Sequence, residues 1–95
     1  MRGQKVTYYP TTTQAVTVGA ASAATTNAVG AETHIVRLVS TTDCHITFAG
    51  TPTATTSDWL LPSGVVEYMT IRPGQKVAAI QNSAGGSLYV TEMTR

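Results

Sequence analysis

Charged residues are scarce in this chain. Only 12% of its 95 residues are Asp, Glu, Lys or Arg, and the formal net charge is +1. Nucleic-acid binding normally requires a basic face, and binding to an anionic membrane requires clustered Lys and Arg, so the composition argues against both partners. No apolar run approaches the ~20 residues that span a bilayer, and no signal peptide is recognisable. The sequence therefore predicts a soluble domain made in a reducing cytoplasm.

The chain contains a single cysteine, Cys44, which excludes a disulfide within the chain. Cys44 occupies an apolar position of a predicted strand, which indicates a buried thiol with a structural role. A reactive thiol would require a neighbouring base or an electropositive setting, and the surrounding sequence offers neither. We therefore expect no chemistry at this cysteine.

Sequence signatures of catalysis are also missing. The chain has no Gly-x-Ser-x-Gly nucleophile motif, and its five Asp and Glu residues are too few and too scattered to predict a pair of catalytic carboxylates. The glycine pair Gly85-Gly86 lacks the Lys-Ser/Thr that completes a phosphate-binding loop, so it predicts a hairpin turn. The sequence predicts a protein that is not an enzyme and that needs no cofactor.

The two histidines, His34 and His45, are the remaining candidates for a ligand site. If the strands that carry them paired, the two rings could lie close together and, with Asp43 or Glu32, bind a metal. Both histidines occupy polar strand positions without a clustered third ligand, and solvent-exposed histidines are the simpler interpretation. The sequence therefore predicts no metal site.

What the chain does contain is a series of short β-branched runs separated by Gly, Pro, Thr and Asn. The clearest are residues 33–40, in which Val36 and Leu38 share a face, and residues 44–48. They are joined by the polar break Thr41-Thr42-Asp43. Two alternating runs with a short polar break between them predict a β-hairpin.

The remaining segments repeat this pattern of short strand and tight turn. Residues 19–31 are rich in Ala, Ser and Thr but have no apolar stripe for a helix to bury, so we expect a loop or an irregular edge strand. About seven strands and no helix predict one all-β domain, an antiparallel β-sandwich or jelly-roll-like barrel. Outside the hairpin, the predicted strands are residues 14–18, 59–61, 65–71, 76–81 and 87–92, with turns at Pro62-Ser63-Gly64 and Arg72-Pro73-Gly74-Gln75.

Residues 1–13 are polar and irregular apart from Tyr8, Tyr9 and Pro10. We therefore divide the chain into an amino-terminal arm, residues 1–13, and a β-sandwich domain, residues 14–95. Tyrosine side chains often dominate contact energies at protein interfaces. The three bulky residues either anchor the arm in a partner's groove or cover the edge of their own core, and all three are candidate interface residues.

Two further candidate interface residues lie in the domain. Arg37 interrupts an apolar strand, where it could pair with Glu67 across the sheet or with an acidic group of another subunit. Trp59, the only tryptophan, follows a Thr-rich loop and is either a core residue or an interface hot spot. Low charge with abundant Thr and Ala is also typical of a surface that packs against other protein.

Several strand and turn motifs from Thr33 onward are similar to those of a known group of proteins. They are Thr33-His34-Ile35-Val36-Arg37-Leu38-Val39-Ser40, Asp43-Cys44-His45-Ile46, Ala49-Gly50-Thr51-Pro52-Thr53-Ala54, Leu61-Pro62-Ser63-Gly64, Pro73-Gly74-Gln75-Lys76-Val77-Ala78 and Gly85-Gly86-Ser87-Leu88-Tyr89-Val90-Thr91-Glu92. On these motifs, which cover roughly the last two thirds of the chain, it resembles the small structural proteins of tailed bacteriophages.

The resemblance implies a β-rich virion component, and at this size a capsid decoration or cement protein. Such proteins sit as trimers or dimers on the outer capsid surface, bridge capsomers and resist the pressure of packaged DNA. The implied partner is the major capsid protein, and the implied assembly is a homo-oligomer, with a trimer favoured. The implied location is the capsid surface of a virion assembled in the host cytoplasm. A head–tail connector or tail component is the alternative within the same resemblance.

Two functions of other classes remain consistent with the residues. Exposed aromatic residues such as Tyr68, Tyr89 or Trp59 could stack on sugar rings in a carbohydrate- or receptor-binding module. A small cupin-like enzyme would use His34 and His45, although their spacing lacks the His-x-His-plus-Glu pattern of cupin metal sites.

Overall fold

The computed structural model describes residues 8–94, which form eight strands and no helix. Apolar residues recur at every second position, so each segment can bury one face as a strand but lacks the stripe that a helix buries. Nothing in this part of the chain is a helix that could cross a membrane. The strands are β1 (Tyr9–Val18), β2 (Ala23–Ala24), β3 (Ile35–Ser40), β4 (Cys44–Ala49), β5 (Trp59–Leu61), β6 (Glu67–Thr70), β7 (Lys76–Gln81) and β8 (Gly86–Thr94).

The strands form two antiparallel sheets packed face to face. Sheet I has the order β1-β8-β3-β6, and sheet II has the order β2-β7-β4-β5. Only the β4–β5 connection stays within one sheet, so the chain otherwise passes from one layer to the other after every strand. This is the strand order of an eight-stranded jelly roll. The predicted antiparallel sandwich is confirmed, with eight strands rather than about seven.

The hairpin predicted for residues 33–48 is wrong. β3 lies in sheet I between β8 and β6, whereas β4 lies in sheet II between β7 and β5. The polar break between them is an arch, held by Thr41 N–H donating to the Ser87 carbonyl (2.9 Å) and Thr42 Oγ1–H donating to the Ala84 carbonyl (2.8 Å). Two alternating runs bury their apolar faces equally well as neighbours in one sheet or as facing strands across a core. The residue pattern therefore could not distinguish the two arrangements.

The core lies between the inner faces of the two sheets. Val36 and Leu38 face inward from sheet I, and Cys44 and Ile46 face them from sheet II, so the alternation read from the sequence holds in both layers. The side chains on the outer faces of the two sheets do not contribute to this core. The buried apolar cluster comprises Val16, Val18, Val29, Val36, Leu38, Cys44, Ile46, Leu61, Ile71, Val77, Ala79, Leu88 and Val90.

Strand β1 begins at Tyr9, earlier than the start at Gln14 that the sequence predicted. Tyr9 pairs with Thr94 at the start of a ladder with β8, and the register shifts once, just after Pro10. Proline is tolerated there because β1 is an edge strand. The predicted arm is therefore corrected from Tyr9 onward, where the chain belongs to sheet I, and residues 1–7 lie outside the described residues.

The Ala- and Ser-rich run at residues 19–31 contains no helix, as predicted. Its only regular element is the two-residue strand β2 at the edge of sheet II. Farther along, the Gln14 side chain makes two hydrogen bonds with the backbone of Asn27, one to the carbonyl and one from the N–H, each 3.0 Å long. These two bonds tie the 19–31 segment to β1.

The two predicted proline–glycine turns are present. Gly64 and Gly74 have positive φ angles of 77° and 86°, a conformation that glycine adopts without steric cost. In the second turn, Gln75 N–H donates to the Arg72 carbonyl at 3.1 Å. Both turns lead from one sheet to the other instead of closing a hairpin, and so does Gly85-Gly86, which the sequence had predicted to close one.

Candidate interaction surfaces

Seven large apolar side chains are exposed on the described surface, and five of them lie between residues 59 and 68. Single exposed apolar residues are normal, but a concentration of them marks a contact surface. The segment that carries the five comprises β5, the following connection and β6. The seven residues are Tyr9, Trp59, Leu60, Val65, Val66, Tyr68 and Tyr89.

Strands β5 and β6 are the terminal strands of their sheets, and they follow each other in the chain. The connection between them therefore joins the two sheets along one side of the sandwich. In the part of the chain that the structure describes, each of the two strands is hydrogen-bonded to another strand on one side only. An exposed edge with apolar side chains is a template for binding another chain. We call the exposed residues Trp59, Leu60, Val65 and Val66 the β5–β6 edge.

Trp59 combines core packing with an accessible surface. It lies opposite the core residue Ile46 in the β4–β5 ladder, which places its indole on the inner face of sheet II. There it lines an open slot of about 340 Å³ together with Phe48 and Met69. The side chain is nevertheless 40% exposed, so it is held by the core while part of its surface remains free.

The outer face of sheet I is a second candidate surface. The strand registers place Tyr89 opposite Val39 and Tyr68 opposite Arg37. Because Val36 and Leu38 face the core from the alternate positions of β3, these residues all point outward. The outer face of sheet I is defined here by Ile35, Arg37, Val39, Tyr68, Tyr89 and Met93.

Arg37 is half-buried on this face, and its side chain has no hydrogen bond or ion pair with any residue between 8 and 94. Glu67 cannot serve as its partner, because Glu67 lies opposite Leu38 and so points to the other side of the sheet. The interpretation that Arg37 pairs with Glu67 across the sheet is therefore wrong. The alternative, a pair with an acidic group of another subunit, stays a prediction.

The three amino-terminal candidates lie at one end of sheet I. Tyr8 lines two adjoining grooves of about 460 and 310 Å³, and both grooves include Ile35 and Met93 of the outer face. Tyr9 and Pro10 are both exposed, Tyr9 by 59%. They lie opposite Thr94 and Met93 of β8. The structure thus brings Tyr8 and Arg37 to the same face of sheet I and places Trp59 on a different side of the sandwich.

The two histidines do not approach each other across a strand pair, because β3 and β4 belong to different sheets. His34 precedes β3 and lines the larger groove, whereas His45 lies on β4 and faces away from the core. Among residues 8–94, no three His, Cys, Asp or Glu side chains are grouped to hold a metal ion. The geometric premise of a site built on the two histidines is therefore wrong.

His45 is buried and has an oxygen acceptor at each ring nitrogen. Nδ1 lies 2.8 Å from the Asp58 carbonyl oxygen, and Nε2 lies 3.0 Å from Asn82 Oδ1. The hydrogen bond to the Asp58 carbonyl and that to Asn82 raise the pKa of His45, the negative charge of Asp58 adds to the rise, and burial opposes it. The imidazole thus joins the loop before β5 to the turn after β7.

Cys44 is fully buried at an inner position of β4, as the sequence predicted. Burial raises the pKa of its thiol, and the charge of Asp43 adds to this effect, while a hydrogen bond with Ser40 opposes it. The neutral thiol is therefore the favoured form, which fits a packing role.

Leu60, Val65 and Val66 are contact candidates that the sequence reasoning missed. A signal for them was available, because successive side chains of a strand point to opposite faces. In adjacent apolar pairs such as Leu60-Leu61, only one member can face the core. Here Leu61 is fully buried and Leu60 is exposed.

Comparison of the chain with protein-family models, with curated proteins and with solved structures found no match. A jelly-roll sandwich supports many unrelated functions, so the fold alone does not select one.

Proposed function

We propose that this chain is a non-enzymatic structural protein of a bacteriophage particle, a capsid decoration protein that binds the major capsid protein and stabilises the head. The observation that carries the proposal is the β5–β6 edge, four exposed apolar residues on the edge strand β5 and on the connection that leads from it to the edge strand β6. The motif resemblance from Thr33 onward supplies the class of partner. Binding through this edge requires no catalytic group.

The edge is suited to binding because its largest side chain is held in place beforehand. Trp59 lies opposite Ile46 on the inner face of sheet II and is only 40% exposed, so little side-chain freedom is lost when a partner covers the rest. Tryptophan is also the residue type most enriched at interface hot spots. Burial of the edge against a capsid subunit contributes roughly 25 cal/mol per Å² of apolar area, and a stable contact buries about 1,000 Å² or more in total.

The copy number of the chain in purified virions tests the location. Quantitative mass spectrometry against the major capsid protein should give hundreds of copies per particle, because a decoration protein repeats over the whole head. A handful of copies, in multiples of three or six, would assign it to a head–tail connector or tail instead. Absence from the particle would contradict a virion role of any kind.

A charge-insertion variant tests the binding edge. The double substitution Leu60→Lys and Val66→Lys should lower the affinity for capsids lacking the protein at least about tenfold, since two cations would be desolvated at an apolar contact. Both side chains are exposed, so the free energy of unfolding should stay within about 0.5 kcal/mol of wild type. Thr26→Lys, in the exposed 19–31 segment, is the matched control and should bind normally. Unchanged capsid binding by the double variant would exclude this edge as the contact.

A carbohydrate- or receptor-binding module is the second candidate, and one observation favours it. Tyr68 and Tyr89 are both exposed on the outer face of sheet I, on strands that flank β3. Aromatic rings on one flat face can stack on sugar rings. A glycan array tests this function, and Tyr89→Ala should abolish any signal. Silence on the array, or a signal that survives Tyr68→Ala and Tyr89→Ala, would remove the candidate.

A further inference from the structure

The chain has only five acidic residues, and the hydrogen bonds of each carboxylate can be stated. All five lie within the described residues, and three of them already accept hydrogen bonds from other parts of the fold. These are Asp43 Oδ1 with Ser63 N–H (2.7 Å), Asp58 Oδ2 with Thr55 N–H (2.7 Å), and Glu92 Oε1 with Gly30 N–H (3.0 Å) and Thr33 Oγ1–H (2.6 Å). Only Glu32 and Glu67 have no such bond within residues 8–94.

Of these two carboxylates, Glu32 borders the face that carries Arg37. Glu32 is exposed and lines the larger groove at the end of sheet I, beside Ile35 and Met93 of the outer face. Glu67 points to the opposite side of the sheet. With respect to residues 8–94, the outer face of sheet I therefore carries an unpaired arginine near its middle and an unpaired carboxylate at its end.

We propose that the outer face of sheet I binds the same face of a second copy of this chain. Arg37 of each copy then pairs with Glu32 of the other, and the two ion pairs are related by a two-fold axis that passes near Ile35 and Met93. Arg37 and Glu32 lie on one face, so when two copies of this face meet about a two-fold axis, Arg37 of each copy can reach Glu32 of the other. A contact that uses the same surface on both subunits is isologous.

The side chains around Arg37 suit an interface between proteins. Tyr68 lies directly opposite Arg37 on β6, and Tyr89 lies diagonally from it on β8, two residues before Thr91, which is opposite Arg37. Tyrosine and arginine are enriched at interface centres. A guanidinium also loses less hydration than an ammonium group and can bind a carboxylate with two parallel hydrogen bonds. The half-buried position of Arg37 has already removed part of its hydration, so an incoming carboxylate gains more than it would at an open surface.

The size of the face predicts a reversible dimer. Four strands spaced about 4.8 Å apart and averaging about seven residues cover roughly 450 Å² in projection. A standard stable interface removes about 800 Å² of accessible surface from each partner. The contact is therefore at the small end of the range, and we expect monomer and dimer to exchange with concentration.

Sedimentation equilibrium of the purified full chain tests the proposal. Wild type should pass from monomer to dimer as its concentration rises, and raising the salt from 0.05 to 1 M should weaken the dimer, because both ion pairs are screened. Arg37→Glu and Glu32→Arg should each raise the dissociation constant at least tenfold. Lys76→Glu, on strand β7 of sheet II, is the charge control and should leave the constant unchanged.

Mixing the two charge-reversed variants gives the decisive result. An equimolar mixture of Arg37→Glu and Glu32→Arg chains restores both ion pairs in the mixed dimer, so association should return. Tyr68→Arg, at a side chain 58% exposed, should block association while thermal unfolding stays close to wild type. A monomer at all concentrations, a trimer, or a dimer insensitive to both charge reversals would overturn the proposal.

This inference does not depend on the proposed capsid role. The sedimentation experiment uses the purified chain alone, and the capsid-binding variants change the β5–β6 edge instead. Loss of capsid binding in Arg37→Glu by a chain that is monomeric throughout would show that the face binds an acidic group of another protein, which would overturn self-association.

Discussion

Gly86 lies where the arch between β3 and β4 passes closest to the start of β8. A Cβ atom added at Gly86 would lie 2.6 Å from Thr41 Oγ1 and 2.8 Å from Thr42 Cγ2, both closer than real contacts of a Cβ atom. The same arch donates hydrogen bonds to the backbone around this glycine, so it cannot withdraw freely. At the scale of single residues, close packing of the connections limits side-chain size as strictly as the core does.

Gly86→Ala should therefore destabilise the fold by about 1–3 kcal/mol through overpacking. Urea unfolding followed by circular dichroism measures the change. Gly50→Ala is the matched control, because a Cβ at Gly50 would meet no atom within 4 Å, and it should change stability little. Equal stability of the two variants would show that the arch relaxes at negligible cost.

Glu92 is a buried carboxylate that ties the 30–33 segment to β8. Its Oε1 accepts hydrogen bonds from Gly30 N–H and Thr33 Oγ1–H. Glu92→Ala leaves both donors without a partner, so we expect a loss of about 1–3 kcal/mol in the free energy of unfolding. Glu92→Gln keeps an acceptor oxygen and should lose less. The prediction is wrong if alanine and glutamine variants unfold at the same urea concentration.

At the scale of elements, the loop between β4 and β5 lies across the outer face of sheet II. It leaves and re-enters at adjacent strands, yet Ala54 N–H reaches Ser22 Oγ, just before the opposite edge strand β2 (2.8 Å). At its end, the Asp58 carbonyl meets the ring of His45. The loop is thus fastened at both sides of the sheet.

The His45 contact makes stability depend on pH. Because the folded state raises the pKa of His45 above its ordinary value of about 6.5, the contact contributes most below pH 6.5 and is lost as pH rises through the raised pKa. The free energy of unfolding should therefore fall as pH increases from 6 towards 8. His45→Gln should flatten this dependence, and His34→Gln, at an exposed histidine, should preserve it. Urea unfolding at several pH values decides, and a slope retained in His45→Gln would contradict the assignment.

At the scale of the whole molecule, the connections join the two sheets into one unit. Every consecutive pair of strands except β4–β5 is divided between the sheets, and the core cluster takes residues from both. Neither sheet can therefore keep its buried face if the other separates. We expect two-state unfolding.

Two probes test this cooperativity. Trp59 fluorescence reports the slot between β5 and β6, and far-UV circular dichroism reports all strands. Their urea transitions should coincide in midpoint and slope. Separate transitions would show that the β5–β6 side opens on its own, a local unfolding that the shared core should prevent.

The sequence predicted the positions of the strands better than it predicted which strands pair with each other. Alternation located β3, β4 and β7 within a residue or two, because burial of one strand face depends on local periodicity. It paired β3 with β4 wrongly, because a short polar break is compatible with a hairpin and with an arch. The candidate site divides in the same way. Trp59 and Arg37 were recognisable in the sequence as single unusual residues, whereas the grouping of Leu60 and Val66 along one side of the sandwich depends on the position of β5 and β6 as edge strands.

By itself the sequence determined that this protein is an all-β sandwich, since its short alternating runs and turn glycines leave no helix to build. Tertiary structure alone decided which strands share a sheet, and so which side chains meet. That choice placed Arg37 opposite Tyr68 instead of Glu67 and left two apolar edge strands side by side. The physical reason is that alternation specifies which side of a strand is buried, whereas strand pairing depends on contacts between residues far apart in the chain.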